Sequence, residues 1–190
     1  MKKILLSVAG LFLIGLCANA QPWGFGPKVG ASFSTVNGVE GAKMRAGVVA
    51  GVFADRMIND WLSVEADLLY AMNGFRVHGD NGVKSKINLD YIYMPVVAKF
   101  YLTDGLNFQL GARFGYLVTS KEDVDGGDKY TIRDAINRYD VDLLAGLAYD
   151  FDFGMIIEGR YNIGTTKMLR VASANPMTNG ALEFSVGWRF

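Results

Sequence analysis

Between Asn107 and Val118 the chain alternates residue by residue. Phe108, Leu110, Ala112, Phe114, Tyr116 and Val118 fall on one side, and Asn107, Gln109, Gly111, Arg113 and Gly115 on the other. A period of two belongs to a strand with one apolar face. The same pattern sets Leu62, Val64, Ala66, Leu68, Tyr70 and Met72 against Ser63, Glu65, Asp67, Leu69, Ala71 and Asn73. It recurs with Val141, Leu143, Ala145, Leu147 and Tyr149 against Asp140, Asp142, Leu144, Gly146 and Ala148. The last segment sets Leu182, Phe184, Val186, Trp188 and Phe190 against Glu183, Ser185, Gly187 and Arg189. Weaker alternation lies near residues 25–34, 45–55, 87–102 and 155–165. The pattern predicts eight strands of about ten residues, the length of a tilted strand crossing a membrane.

The connections alternate in length. Short turns are predicted at Asp55–Asp60, Thr103–Leu106 and Asp150–Gly154, and longer polar links at Thr35–Met44, Arg76–Lys86, Lys121–Arg138 and Thr165–Asn179. All short turns then fall at one end and all long links at the other, as in outer-membrane barrels with short periplasmic turns and long extracellular loops. Alternation alone does not separate such a barrel from a soluble one; interior volume does. The polar face carries Gly47, Gly51, Gly111, Gly115, Gly146, Ala148 and Gly187. An eight-stranded barrel has room inside only for side chains of limited bulk, so the small residues belong inside and the Leu, Phe, Tyr and Trp rows outside. Tyr70, Tyr116, Tyr149 and Trp188, read as lying near strand ends, suit interfacial aromatic girdles. The expected fold is all-β: a closed eight-stranded antiparallel up-and-down transmembrane β-barrel over residues 21–190.

Composition agrees. Hydrophobic residues make up 51% of the 190 and charged residues 20%, yet beyond the first segment no apolar run reaches the ~20 residues of a membrane helix. Residues 1–20 read as a secretory signal. Lys2 and Lys3 precede the apolar stretch Ile4–Leu16, and Ala18-Asn19-Ala20 forms an A-x-A site that would leave Gln21 first. A membrane anchor and a lipoprotein signal are the rival readings; the run is short for a span, and Leu16 before Cys17 suits a lipobox poorly. Cleavage would remove the one cysteine, and with it disulfides and thiol chemistry. It would leave 17 basic against 19 acidic residues, so no basic excess points to nucleic acid.

The inward face is expected to carry Glu65, Asp67, Lys99, Arg113, Asp142, Glu158, Arg160, Glu183 and Arg189. Charge in so narrow a space must be paired, because desolvation is costly. An ion-pair network that plugs the barrel is expected, and a proton or solute path is the alternative.

Tyr91-Ile92-Tyr93-Met94-Pro95, followed by Lys99, resembles the Tyr-x-x-x-Pro strand of the outer-membrane β-barrel family that includes the PorT-like proteins. The Glu65 strand, Arg160-Tyr161-Asn162 and the aromatic C-terminus are similar to that family as well. The resemblance covers residues 21–190 through short, degenerate motifs. It implies the barrel and the outer membrane, and little biochemistry. Tyr93 departs from it, standing where many members carry a carboxylate. Phe190 resembles the terminal aromatic of the signal read by the barrel-assembly machinery, with Leu182, Phe184, Val186 and Trp188 as its supporting row; an ordinary final strand is compatible with the same residues. Pro95 lacks the N–H that a ladder needs, so a β-bulge is expected there, with a strand break as the alternative.

No catalytic, cofactor-binding or metal site emerges, and the chain is read as a non-enzyme. His78, the one histidine, lies in His78-Gly79-Asp80. That pair suits activation of a water, although a histidine beside glycine is more often just solvated. HExxH, GxSxG and P-loop motifs are absent. Glu122–Asp128 clusters oxygen ligands around glycines, a composition calcium favours, but without the terminal glutamate of an EF-hand loop. The expected role is structural or interactive: lipids around the barrel, the assembly machinery at Phe190, and a protein partner or the lipopolysaccharide layer at the long links. A barrel enzyme acting on lipid or peptide, or a narrow conduit, is the alternative.

Overall fold

The computed structural model describes residues 23–37, 43–78, 84–124, 129–131, 137–165 and 178–190. Among the described residues nine strands form: β1 (Gly24–Asn37), β2 (Lys43–Asn59), β3 (Leu62–His78), β4 (Lys84–Tyr101), β5 (Leu106–Val124), β6 (Lys129–Thr131), β7 (Tyr139–Asp150), β8 (Met155–Gly164) and β9 (Thr178–Trp188). Eight of them make the barrel, in the order β4-β3-β2-β1-β9-β8-β7-β5, and the β4–β5 pairing closes the ring. The three-residue β6 adds only to the outer end of β5, pairing Lys121↔Thr131. Each barrel strand pairs with two antiparallel neighbours, so the eight-stranded up-and-down topology is present and the ring has no open edge.

The alternation is realised as inside and outside. On β3, Ser63, Glu65, Asp67, Leu69, Ala71 and Asn73 are buried, while Leu68, Tyr70 and Met72 are exposed. On β9, Glu183 and Ser185 are buried, while Phe184, Val186 and Trp188 are exposed. The apolar rows therefore face outward. At the end with the short turns, Trp23, Trp61, Tyr149, Phe153, Trp188 and Phe190 form one exposed aromatic ring; Tyr70, Tyr116 and Tyr139 form a second. On β3 the two rings are separated by the stretch from Trp61 to Tyr70, about 23 Å for tilted strands, which matches the ~25 Å apolar band of such barrels.

Several boundaries differ from the expected ones. β2 continues through Asp55 to Asn59, so the first turn is just Asp60 and Trp61, where the Trp61 N–H donates to Asn59 Oδ1 at 3.1 Å. Its last residues lose the apolar signature because Asp55 and Arg56 are buried there. The long links contain strand as well. β2, β3, β4 and β5 are 17, 17, 18 and 19 residues long, against 10 to 14 for β1, β7, β8 and β9. Above the apolar band a strand needs no apolar outer face, so its alternation fades while its ladder continues. For the same reason Tyr70 and Tyr116 lie in mid-strand rather than near strand ends.

The bulge expected at Pro95 is not there. β3 and β4 keep one register from Leu62↔Phe100 to His78↔Lys84, with pairing omitted only opposite Met94 and Pro95, and Pro95 stays paired with Arg113 on β5. Leaving one ladder bond unformed costs less than inserting a residue into a closed ring. The β4–β5 irregularity lies higher, where β5 carries the extra residue Val118 between Leu117↔Tyr91 and Thr119↔Asp90. The last strand also ends earlier, at Trp188; Phe190 lies past it, its N–H donating to the Phe25 carbonyl at 3.0 Å. The turn before β8 places Gly154 at φ 98°, a left-handed conformation that favours glycine.

The interior leaves little slack. A Cβ at Gly115 would meet Tyr93 Cε1 at 2.4 Å, whereas one on outward Gly159 meets nothing nearer than 3.4 Å. Gly115→Val is expected to destabilise the barrel by about 1–3 kcal/mol, the usual cost of overpacking, and Gly159→Ala to leave it unchanged. Urea-unfolding midpoints in lipid vesicles check the pair; equal midpoints would show that the lumen has spare room.

Candidate functional site

The lumen holds the densest chemistry in the described residues, in two layers. In the lower layer Lys28 on β1 lies 2.7 Å from Glu65 Oε1, 3.2 Å from Asp67 Oδ1 and 2.9 Å from Glu158 Oε1. Arg160 on β8 reaches the same three acids: Glu65 at 2.5 Å, Glu158 at 2.8 Å, and Asp67. Its Nε donates to Gln109 Oε1 at 2.7 Å. Lys99 bridges downward from Glu65 Oε2 at 3.2 Å to Asp150 Oδ2 at 3.1 Å. Asp150 also accepts from the Tyr101 hydroxyl at 2.7 Å and from Asn107 Nδ2 at 3.1 Å. Arg189 closes the lower end, contacting Asp55 Oδ2 at 2.5 Å and Asp150 Oδ2 at 2.6 Å.

Arg113 organises the upper layer. Its Nε donates to Asp142 Oδ2 at 2.7 Å and its Nη1 to Glu183 Oε1 at 2.5 Å, a bridge across the lumen from β5 to β9. The guanidinium carbon sits 3.8 Å from the centroid of the Tyr93 ring. The Tyr93 hydroxyl donates to Asp140 Oδ2 at 3.2 Å and accepts from Asn73 Nδ2 at 3.2 Å, while Ser32 donates to Asn73 Oδ1 at 3.0 Å. Tyr93 thus replaces the carboxylate expected from the family resemblance with a π-face for the cation and a hydroxyl that engages Asp140 instead.

The nine charges assigned to the interior from sequence all occur in this network. The network also holds Lys28, Asp55, Asp140 and Asp150, which that set does not contain, although Asp140 stands on the polar row of its strand. Lys28 shares the parity of buried Ser32 and Ser34, which is the signal that identifies it; Asp55 and Asp150 were assigned to turns. Below the network a cavity of about 760 Å³ opens between the short turns, lined by Tyr101, Asp150, Phe151, Phe153 and Arg189 among others. The other sequence-stated candidates do not join this cluster. His78 ends β3 opposite Lys84, and the Gly79–Asp80 part of its motif lies outside the described residues. Of the acidic stretch, Glu122, Asp123 and Val124 belong to β5, and residues 125–128 lie outside the described residues.

A closed antiparallel ring with an apolar exterior, two aromatic girdles and a charge-packed lumen defines a membrane-spanning β-barrel. The chain belongs to the family described as outer membrane protein beta-barrel domain, whose model matches residues 19–170, and its place is the bacterial outer membrane. Neisserial surface protein A has a similar fold, with TM-score 0.54 and 19% identity over 87% of this chain and 97% of that one. So does Ail, the attachment invasion locus protein of Yersinia pestis, solved with the heparin analogue sucrose octasulfate (TM-score 0.51, 17% identity, 88% and 99% covered). At these identities the likeness concerns the fold alone. No curated protein matches the chain in sequence.

Removing one partner from a buried ion network leaves the others uncompensated, typically at about 3–5 kcal/mol. Arg160→Leu leaves Glu65, Asp67 and Glu158 to share Lys28 and Lys99, three carboxylates on two ammonium groups, and is expected to lose about that much. Arg189→Leu, at the half-buried lower rim, is expected to lose less. Urea midpoints of the two variants in the same lipid check the ordering; a harmless Arg160→Leu would mean the lumen is hydrated enough to screen its charges.

Proposed function

We propose that this outer-membrane barrel is a sealed platform that presents its extracellular hairpins to a partner, rather than a pore or an enzyme. The observation that carries the reading is the unequal height of the wall. β3, β4 and β5 continue together beyond Tyr70 and Tyr116 up to His78, Lys84 and Val124, roughly 20 Å for strands of ordinary rise and tilt. β7 and β8 stop at Tyr139 and Gly164, near the upper aromatic ring. The lumen supports the same reading: Arg113, Arg160, Lys99 and Gln109 are fully buried across its width, and open channels need wider barrels. Within this family the chain is read as being of the PorT-like type, a reading supported by the resemblance of the Tyr91–Pro95 strand with Lys99.

The remaining parts of the proposal concern maturation. The first twenty residues are a cleaved export signal, and Edman sequencing of the membrane-borne protein should begin at Gln21. The assembly machinery recognises the terminal row ending at Phe190, whose ring packs 6.1 Å from Phe25 across the seam. Deleting Phe190 is expected to slow membrane insertion strongly, and normal insertion would remove that part of the proposal.

The platform reading is tested by trimming Lys121–Arg138 to a tight turn and cross-linking on intact cells. The full-length protein should yield a discrete cross-linked partner, lost on trimming while heat-modifiable gel mobility still reports a folded barrel. His78→Ala should leave the cross-linking unchanged. Steady conductance of the purified barrel in a planar bilayer, or lipid or peptide turnover abolished by His78→Ala, would favour the conduit or enzyme instead.

A further inference from the structure

The upper layer of the lumen is not fully matched. Asp142 and Glu183 are two carboxylates, and among the described residues Arg113 is the one cation in salt-bridge contact with either. Arg113 does not spread its donors over both oxygens of Asp142, as a fork-to-fork pair would. Its Nε and Nη2 both address Oδ2. The Tyr93 ring, 3.8 Å from the guanidinium carbon, holds it in that place. Asp142 Oδ1 is left buried without a hydrogen-bond partner.

Asn162 stands next to it on β8. It continues the inner row of Glu158 and Arg160 and is 0% exposed, yet neither its Oδ1 nor its Nδ2 has a partner. The register sets it opposite Leu144 on β7 and Ala181 on β9, one without a polar side-chain atom and the other without bulk. Asp142 is opposite Gly164, two residues along from Asn162, and Glu183 is opposite Arg160, two residues back. Asn162 is therefore the diagonal neighbour of both acids, at the ~7–8 Å spacing that side chains span across a sheet. Buried amides and carboxylates are nearly always hydrogen-bonded, because their desolvation is otherwise uncompensated. Here two bare oxygen acceptors coincide with one unmatched negative charge, and a cation answers both. We propose that Asp142 Oδ1 and Asn162 Oδ1 bind a single monovalent cation of the sodium class in the upper lumen. Hard cations take oxygen ligands of this kind. A divalent ion would overcompensate the excess charge, and among the described residues no three acidic, histidine or cysteine side chains converge to hold one. Water completes the shell of the ion, and Asn162 Nδ2 donates to one such molecule. The ion, Arg113, Asp142 and Glu183 then sum to zero charge.

The test follows urea unfolding of the full barrel in lipid vesicles while sodium chloride replaces choline chloride at fixed ionic strength, which keeps general screening constant. Only the folded barrel assembles the site, so sodium should raise the midpoint. Beyond the dissociation constant the folding equilibrium should shift about tenfold for each tenfold of sodium. Asn162→Leu, set between Leu144 and Ala181, should fold and lose the sodium dependence. Asp142→Asn should lose it too, and it serves if the first variant fails the gel-mobility check for folding. Line broadening of the sodium NMR signal by the folded barrel, absent with either variant, reads the ion directly. Equal midpoints in sodium and choline overturn the proposal, in favour of water alone or of a proton on Asp142. Sodium dependence kept in full by a folded Asn162→Leu or Asp142→Asn overturns it by placing the ion elsewhere. A larger shift with calcium chloride than with sodium chloride at equal ionic strength overturns it in favour of a divalent ion.

Discussion

Burying charge inside a barrel of fixed bore is the constraint on which the rest of this structure depends. Eight strands set an interior that side chains must fill, and ions taken from water destabilise the fold unless nearly all of their hydrogen-bonding capacity is met. The chain meets both demands with the same residues. Arg160 and Lys28 converge on one trio of acids, Lys99 carries the network to Asp150, and Arg189 ties Asp150 to Asp55. The largest side chains are matched with glycine. A Cβ at Gly146 would come 3.0 Å from Arg160 Cγ, and one at Gly24 2.9 Å from Arg189 Cδ. Gly146 and Gly24 thus make room for two of the paired guanidinium side chains, while Gly26, Gly47, Gly51 and Gly111 stand closest to the backbone of the neighbouring strand.

That coupling explains what the amino-acid sequence reveals and what it hides. Within the apolar band each strand must alternate, so strand number, parity and the inward placement of Glu65, Arg113 or Arg160 are legible from spacing alone. Outside the band the lipid no longer demands an apolar face. Asp55 to Asn59 and the upper ends of β3, β4 and β5 therefore look like turns and loops although their ladders continue. Lys28 was hidden for a different reason: its strand carries Gly26, Gly30, Ser32 and Ser34 on the inner face, a row whose sequence looks too small and neutral to hold a charge. Partner identity in the network was not legible either, because Arg113–Glu183 and Arg160–Glu65 join residues 70 and 95 positions apart. Only ring closure brings them together.

Pro95 and Tyr93 show how closure alters residue-by-residue expectations. A sheet accommodates proline at an edge or a bulge, and this ring does carry a bulge, at Val118 on β5, above which Ser120 still faces inward. At Pro95 the missing N–H is met instead by leaving the β3 side unpaired, with Tyr93 kept under Arg113. Retaining register and omitting pairing opposite Met94 and Pro95 is the smaller disturbance. Tyr93 in turn holds the Arg113 guanidinium by its face while its hydroxyl takes up Asp140, so the upper layer holds its cation with an aromatic face as well as carboxylates.

Division of labour follows from where the stabilising interactions lie. The lumen network and the lipid-facing rows both lie below the upper aromatic ring, so closure of the barrel does not depend on what stands above it. The taller strands are held there by main-chain ladders, which any residue except proline continues. The sequence at that height is consequently free of the volume rule that governs Gly115 and the pairing rule that governs Arg160. A barrel whose interior is committed to its own charges has only its ends and its outer surface left with which to meet a partner.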